Sequence, residues 1–316
     1  MTFNETLYND DIVFNSFSRI IMAVSFACIC ILGVIGNLTV LIVALRKQNY
    51  KCVTNCYIVN LAITDLLFLL ISVPLTTYLG LTNTWILNSF VSCRVHIYLA
   101  HVLLQTTCYT LAAMSIDRYL YVTSHHPHPR WRTPLNACLT CILIWAVSIA
   151  FVFPYTSLSS SSPPPSPSSD TNKNPLDDCS VSAYHPLFAS CFFPFCAYYV
   201  LPLVIIALSY TKLFFHMRRS SKNMTRYQGN LLSRACVQIQ RRHITRTLFS
   251  LTCAFAICWL PIHTLELLNC RQMLDEFYDN HTSLLETIRV IAHALSYFNS
   301  CLNPFLYAFF NPEFFM

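Results

Sequence analysis

The sequence predicts an all-α membrane protein, a bundle of seven transmembrane helices with the N-terminus outside and the C-terminus inside. Three observations predict it. The 316 residues are 55% hydrophobic and only 11% charged, with a mean hydropathy of +0.49, whereas a soluble domain carries about 25% charged residues. Seven windows reach the roughly 20 apolar residues that a membrane-spanning helix needs: about 20–45, 57–80, 95–122, 135–155, 192–216, 246–268 and 284–309. Lys and Arg gather in every second connection, as they do on the cytoplasmic side of membranes.

The first span follows an N-terminal arm, residues 1–19. It is too long for the apolar core of a cleavable signal peptide, so it serves as its own insertion signal. Arg46, Lys47 and Lys51 follow it and mark the inner side. The second span carries Asp65 at its middle, a carboxylate costly enough in hydrocarbon to demand a partner or an aqueous cavity. The third ends in Asp117-Arg118-Tyr119, just where Arg130 and Arg132 turn the chain basic; simple snorkelling of an interfacial Arg is the plain alternative. The fourth centres on Trp145 and leads into a long outer connection, 156–191. Its Ser/Pro run from Ser159 to Asp170 cannot bury a core and reads as a flexible spacer.

The fifth and sixth spans flank an inner connection, 217–243, rich in Arg and Lys. This connection either extends the two helices as amphipathic ends or stays a loop. The sixth span contains Cys258-Trp259-Leu260-Pro261, where Pro261 removes a backbone donor and bends the helix. The seventh contains a second such weakness in Asn303-Pro304-Phe305-Leu306-Tyr307, and residues 311–316 open a further cytoplasmic helix. The outer connections are acidic, with Asp177, Asp178, Asp275, Glu276 and Asp279 among them, a field that steers a basic ligand inward. Asn4 and Asn280 head glycosylation sequons on that side. Most of the 16 cysteines lie in apolar windows as small buried hydrophobes, but Cys93 and Cys179 both face the oxidising compartment. Neither a nucleophile with a base nor metal-ligand spacing stands out in the spans, which argues against an enzyme. A multi-span transporter is the alternative of a different class, although no internal repeat or filter-like run is visible.

Together the three motifs resemble the signature of the rhodopsin-like (class A) G-protein-coupled receptors, over residues of about 20–310. The resemblance implies a multi-pass receptor of the plasma membrane that is not an enzyme, does not bind nucleic acid, and has as partners an extracellular ligand, membrane lipid and a heterotrimeric G protein. It also implies roles. Asp117 holds Arg118 at rest beside Tyr119; Arg118 is then freed to meet the G protein, Tyr210 and Tyr307 when the sixth helix swings away. Trp259 senses ligand over Phe255, Pro261 bends its helix, and Asn303-Pro304 loosens the seventh. Asp65 resembles the family's sodium-binding aspartate, with Thr107, Asn299, Ser300 and Asn303 completing an oxygen-rich shell for a hard cation. A neutral Asp65 within a hydrogen-bond network is the alternative. Apart from that allosteric sodium ion no cofactor or metal is expected. Cys93 and Cys179 take the places of the family's disulfide, and Asn37 and Trp145 those of its packing anchors. The sixth span begins with Arg241 and Arg242 and no acid, so the ionic lock of some relatives cannot form.

The ligand follows from what the upper pocket contains. Ala100 stands where amine receptors of the family have their Asp, and residues 284–309 hold no Lys for a retinal Schiff base. The ligand-binding candidates are instead His101, His263, Glu266, Arg289 and His293, a mixed polar set suited to peptide side chains and an amidated or carboxylate terminus. Three His from three helices lack the local spacing of a zinc site. Tyr121-Val122-Thr123 and Arg132-Thr133-Pro134-Leu135-Asn136-Ala137 are similar to the galanin, kisspeptin and allatostatin A receptor group. The expected ligand is therefore a short, basic, amidated neuropeptide, with a non-peptide ligand as the alternative. His125-His126-Pro127-His128 departs from the group's loop and leaves the choice of G protein open. The sequence stops at Met316, early in the family's last helix; if that end is native, weak internalisation is expected, and arrestin as a partner stays open.

Overall fold

The computed structural model describes the backbone of residues 2–46, 53–82, 85–86, 90–124, 130–158, 192, 194–224, 231–270 and 275–310, with side chains described away from the helix ends. These residues form seven helices, and no strand occurs among them. They are α1 (Thr2–Arg46), α2 (Val53–Thr82), α3 (Phe90–Thr123), α4 (Pro134–Leu158), α5 (Leu201–Met224, entered through a π-helical turn at Phe195–Val200), α6 (Leu231–Cys270) and α7 (Asp275–Phe310). Six are long and apolar enough to cross a membrane. The seventh matches them in length but carries Ser296, Asn299, Ser300 and Asn303, all buried in the bundle. Its polarity faces inward.

Two outcomes concern the connections. The backbone of the predicted arm continues the helix of the first span, since α1 begins at Thr2. The basic stretch 217–243 is taken up mostly by helix, with α5 running on to Met224 and α6 starting at Leu231. The low-complexity run, Cys179 and residues 311–316 lie outside the described residues, as do the side chains of Asn4 and Asn280.

Packing is dense in the middle of the bundle and inverted at its surface. Leu61, Leu69, Val40 and Phe255 are buried, while Ile31, Ile35, Leu139, Ile142 and Ile257 point outward, as they do where the solvent is lipid. Close approach of α1 to α2 and α7 depends on two glycines. A Cβ at Gly33 would sit 2.6 Å from Leu69 Cδ1 and 2.7 Å from Cys301 Sγ, and one at Gly36 would sit 3.0 Å from Pro304 Cγ. Without lipid-versus-water burial to drive them together, membrane helices associate through such small-residue contacts and polar bonds.

The prolines and π turns open backbone carbonyls, and side chains answer them. Pro304 has no N–H for the Ser300 carbonyl four residues before it; the Asn37 amide supplies the donor at 2.9 Å and also bonds the Gly33 carbonyl at 2.9 Å. In the π turn of α2, Phe68–Ser72, the Leu69 carbonyl accepts from Cys30 Sγ at 3.2 Å. Tyr98 and Tyr199 each donate 2.8 Å hydrogen bonds to the carbonyls of Ile149 and Ala256, both five residues ahead of an in-helix proline, Pro154 and Pro261. Trp145 donates to Asn60 Oδ1 at 2.9 Å while Asn60 Nδ2 donates to Thr110 at 2.8 Å, joining α4, α2 and α3. Both predicted packing anchors thus make interhelical bonds.

Candidate functional site

Functional side chains gather in three layers along the bundle. The first is a cavity of about 130 Å³ between α2, α3, α5, α6 and α7. Four of the five predicted ligand residues line it: His101, His263, Glu266 and His293. Arg289, one turn before His293 on α7, is not among the lining residues. Ala100 is, so the wall where an ammonium would need a carboxylate is apolar.

Local structure orients each group. His101 donates from Nδ1 to the Ile97 carbonyl at 2.8 Å, which ties that nitrogen to its own helix. His263 and Glu266 lie at i and i+3 on α6, the spacing at which helix side chains meet, and Nδ1 stands 3.6 Å from Oε2. His263 is buried at 4% exposure, while the Glu266 side chain is 59% exposed. The carboxylate therefore offers its free edge to whatever enters. His263 Nε2 is buried without a protein partner, a position in which a ligand donor or acceptor gains a full hydrogen bond.

Aromatic rings tie this cavity to the core. The π turn Phe195–Val200 brings Tyr198 and Tyr199 inward, and Tyr199 lies 5.1 Å from the His263 ring and 6.2 Å from Phe255. The Trp259 ring lies tilted at 5.8 Å from His263 and 6.1 Å from Phe255. Phe255 thus lies one turn below Trp259 on α6 and in ring contact with it. Tyr198, Ser72, Thr76, Ser296 and Tyr297 also line the cavity, and no sequence motif marked them.

The second layer is a small cavity of about 10 Å³ below Trp259, walled by Asp65, Thr107, Asn299 and Ser300. That is about the space of one water molecule or small ion. Asn303 Nδ2 donates to Asp65 Oδ2 at 2.6 Å, and Thr107 Oγ1 donates to Thr64 Oγ1 at 3.3 Å. Asn299 Oδ1 is buried without a protein partner. A carboxylate, hydroxyls and an orphaned amide oxygen form a donor set that fits a hard monovalent cation. Asn303 presents nitrogen rather than oxygen, so it would brace the carboxylate and not ligate. Trp259 borders both cavities.

The third layer is the opposite end of α3. Asp117 and Arg118 are both buried, at 6% and 3% exposure. The resemblance implies that Asp117 holds Arg118, yet the ion pair that Asp117 makes is with Arg132, whose Nε lies 3.0 Å from Oδ1 and whose Nη2 lies 3.1 Å from Oδ2. Arg118 donates to the Thr54 hydroxyl of α2. Arg132 lies in the turn that leads into α4, two residues before Pro134. Its guanidinium also lies 4.2 Å from the centre of the Tyr121 ring, a favourable cation–π distance. Lys212 stands 5.9 Å over Tyr119. Tyr210 packs edge-on against Phe249 at 5.6 Å, and Tyr307 is buried on α7. Cys93, at the other end of α3, is disulfide-bonded. Among the described residues no group of three His, Cys, Asp or Glu side chains could hold a metal ion.

Comparison with known proteins gives a concordant picture. Residues 36–307 match the family model described as 7 transmembrane receptor (rhodopsin family). The chain is 31% identical over 304 residues to galanin receptor 2b of Danio rerio, covering 94% of this chain and 73% of that receptor. It is 32% identical over 297 residues to the KiSS-1 receptor of Rattus norvegicus, covering 92% and 71%, and 30% identical over 299 residues to galanin receptor type 1 of the same species, covering 93% and 80%.

Proposed function

The chain belongs to the rhodopsin family of seven-transmembrane receptors, and on that footing we propose that it binds a short, basic, amidated neuropeptide and activates a heterotrimeric G protein. As a member of the family it is a multi-pass membrane receptor and not an enzyme. The peptide class comes from its similarity to proteins named galanin and KiSS-1 receptors. One observation carries the chemistry: a mixed aromatic and imidazole cavity whose only lining carboxylate among the described residues, Glu266, is exposed beside buried His263. A basic side chain or N-terminus would pair with Glu266. An amide terminus would serve the orphaned His263 nitrogen. The ligand would press on Trp259, whose helix is weakened at Pro261, and the other end of α6 would move away from α3. Arg118 would then meet the G protein.

Cells expressing the chain, challenged with a panel of amidated neuropeptides, test this directly through G-protein activation. A nanomolar response to a basic peptide is expected, lost in Arg118→Ala and weakened about tenfold in Glu266→Gln, since a charge-assisted hydrogen bond is worth roughly 1.5–3 kcal/mol. A response that survives Arg118→Ala would overturn the coupling role. Silence across the panel with good surface expression would favour a non-peptide ligand.

The layer around Asp65 supports a second element of the proposal, an allosteric sodium ion held by Asp65, Thr107, Asn299 and Ser300. Replacing sodium by choline should raise ligand-independent signalling, and Asp65→Asn should abolish that sensitivity. The Cys93 bond is proposed to run to Cys179, which mass spectrometry of the non-reduced protein would establish.

A further inference from the structure

We propose that Ser72 opens a second, neutral subsite in the cavity, one that takes a primary carboxamide of the bound peptide. The proposal rests on the peptide reading above and assigns a ligand group to a wall which that reading leaves unused.

The subsite begins in the backbone. A hydroxyl residue inside a regular helix can turn its side chain back to the carbonyl four residues before it, as Thr76 does to the Ser72 carbonyl at 2.7 Å and Thr77 to the Val73 carbonyl at 2.6 Å. Ser72 instead ends the π turn Phe68–Ser72, in which the Phe68 carbonyl accepts from the N–H of Val73, five residues on. Its own return bond is not made. Ser72 is 2% exposed, its Oγ is buried without a protein partner, and the residue lines the cavity. Single π turns inside α-helices are frequent at functional sites.

The surroundings decide what this hydroxyl can meet. Thr76 of α2 and Ser296 of α7 line the same cavity, and each already donates its hydrogen, Thr76 to the Ser72 carbonyl and Ser296 to the His293 carbonyl at 2.8 Å. A hydroxyl carries one donor and two acceptor lone pairs, so these two offer acceptors while Ser72 offers its hydrogen. Thr76 Oγ1 also lies 3.5 Å from His96 Nε2, which engages one of its two lone pairs at most. A primary carboxamide is the complement: its oxygen accepts from Ser72, and its NH2 group donates to Thr76 or Ser296. A carboxylate would bring acceptors only, and Glu266 of α6 is a like charge in the same cavity. A cation finds its carboxylate at Glu266, and α2 presents none among the described lining residues. The cavity therefore sorts the groups of its ligand, the basic one to α6 and the neutral amide to α2 and α7. A group held at Ser72 would also press towards Phe68, one turn below, whose ring lies 6.0 Å from Trp259 and 5.7 Å from Tyr297.

Two parts of an amidated peptide carry a primary carboxamide, an Asn or Gln side chain and the terminal amide itself. A double-mutant cycle in competition binding separates them, on membranes of the wild type and of Ser72→Ala matched for surface receptor. The probe is the tightest-binding amidated peptide of the panel, with analogues that change each Asn to Leu and each Gln to Met in turn, and one that ends in a methyl ester. One analogue is expected to bind the wild type about tenfold more weakly than its parent does, and to bind Ser72→Ala within about twofold of it. A side-chain analogue in that role assigns the subsite to Asn or Gln, and the ester assigns it to the terminus. The thermal midpoint of Ser72→Ala should equal or exceed that of the wild type, because an unpaired buried hydroxyl is destabilising. A lowered midpoint would give Ser72 a structural partner and overturn the proposal, as would equal losses in the two receptors for every analogue. A panel that binds neither receptor overturns the peptide reading beneath it.

Discussion

The two ends of the bundle are built from different interactions. At the end holding His101, His263 and Glu266, side chains surround about 130 Å³ of space and meet mainly as rings 5–6 Å apart. At the end holding Asp117, Arg118 and Arg132, Asp117 and Arg118 are buried, and directed hydrogen bonds near 3 Å join Asp117 to the part-buried Arg132. Ring contacts shift by small amounts at small cost, whereas a charge-assisted bond is either made or exchanged for another. The first end can therefore adapt to a ligand, and the second can switch. Between them lies a tightly packed middle, so a movement at one end reaches the other only if that middle behaves as a solid.

The hardest test of this contrast is to spoil the middle. Gly33→Leu would push a branched side chain into Leu69 and Cys301, where even a Cβ has only 2.6 and 2.7 Å. Overpacking of this kind costs about 3 kcal/mol, and a lowered thermal midpoint of the purified receptor, with reduced surface expression, is expected. An unchanged midpoint would mean that α1 is not part of the rigid middle.

Asn37→Ala should come next, at about 2 kcal/mol, because the Ser300 carbonyl loses its substitute donor and a buried acceptor is left unsatisfied. The same change in a Pro304→Ala background should cost less than half as much, since an alanine at that position would return a backbone N–H to the carbonyl. Thermal unfolding of the four proteins of this cycle measures the coupling. Simple additivity would show that Asn37 acts for some other reason.

Glu266→Gln should separate the two ends. With its side chain 59% exposed, Glu266 contributes little to stability, so the thermal midpoint should stay within error while the potency of a basic peptide falls about tenfold. A matching loss of stability would place Glu266 in the scaffold instead.

Much of this contrast was legible in the sequence, and the reasons differ by region. The spans, their polar interruptions and the three motifs could be read because lipid makes every buried charge or missing donor conspicuous. Asp65, Asn303, Trp259 and four of the five pocket candidates fell where their helical register put them. Arg132 was visible only as a cation of the inner side. Its pairing with Asp117 is made from the turn that leads into α4, which a helical pattern does not encode. Arg289 does not line the cavity for a related reason: a register one turn from His293 does not say whether the cavity extends that far. The π turn that brings Tyr198 and Tyr199 inward has no periodic signature either.

The smallest predicted effect makes the sharpest comparison, because one device appears in two places. Tyr98 and Tyr199 each donate a 2.8 Å bond to a carbonyl five residues ahead of an in-helix proline, one on α4 and one on α6. Interhelical hydrogen bonds in membrane proteins average about 0.6 kcal/mol, so Tyr98→Phe and Tyr199→Phe should lower stability by similar small amounts. Their effects on signalling should differ. Pro154 bends a helix with no assigned movement, while Pro261 lies in the lever beside Trp259, where about 0.6 kcal/mol of lost restraint corresponds to about a threefold shift in population. Ligand-independent G-protein activation should therefore rise about threefold in Tyr199→Phe and stay level in Tyr98→Phe. Equal responses would mean that the bond from Tyr199 to α6 is ordinary packing.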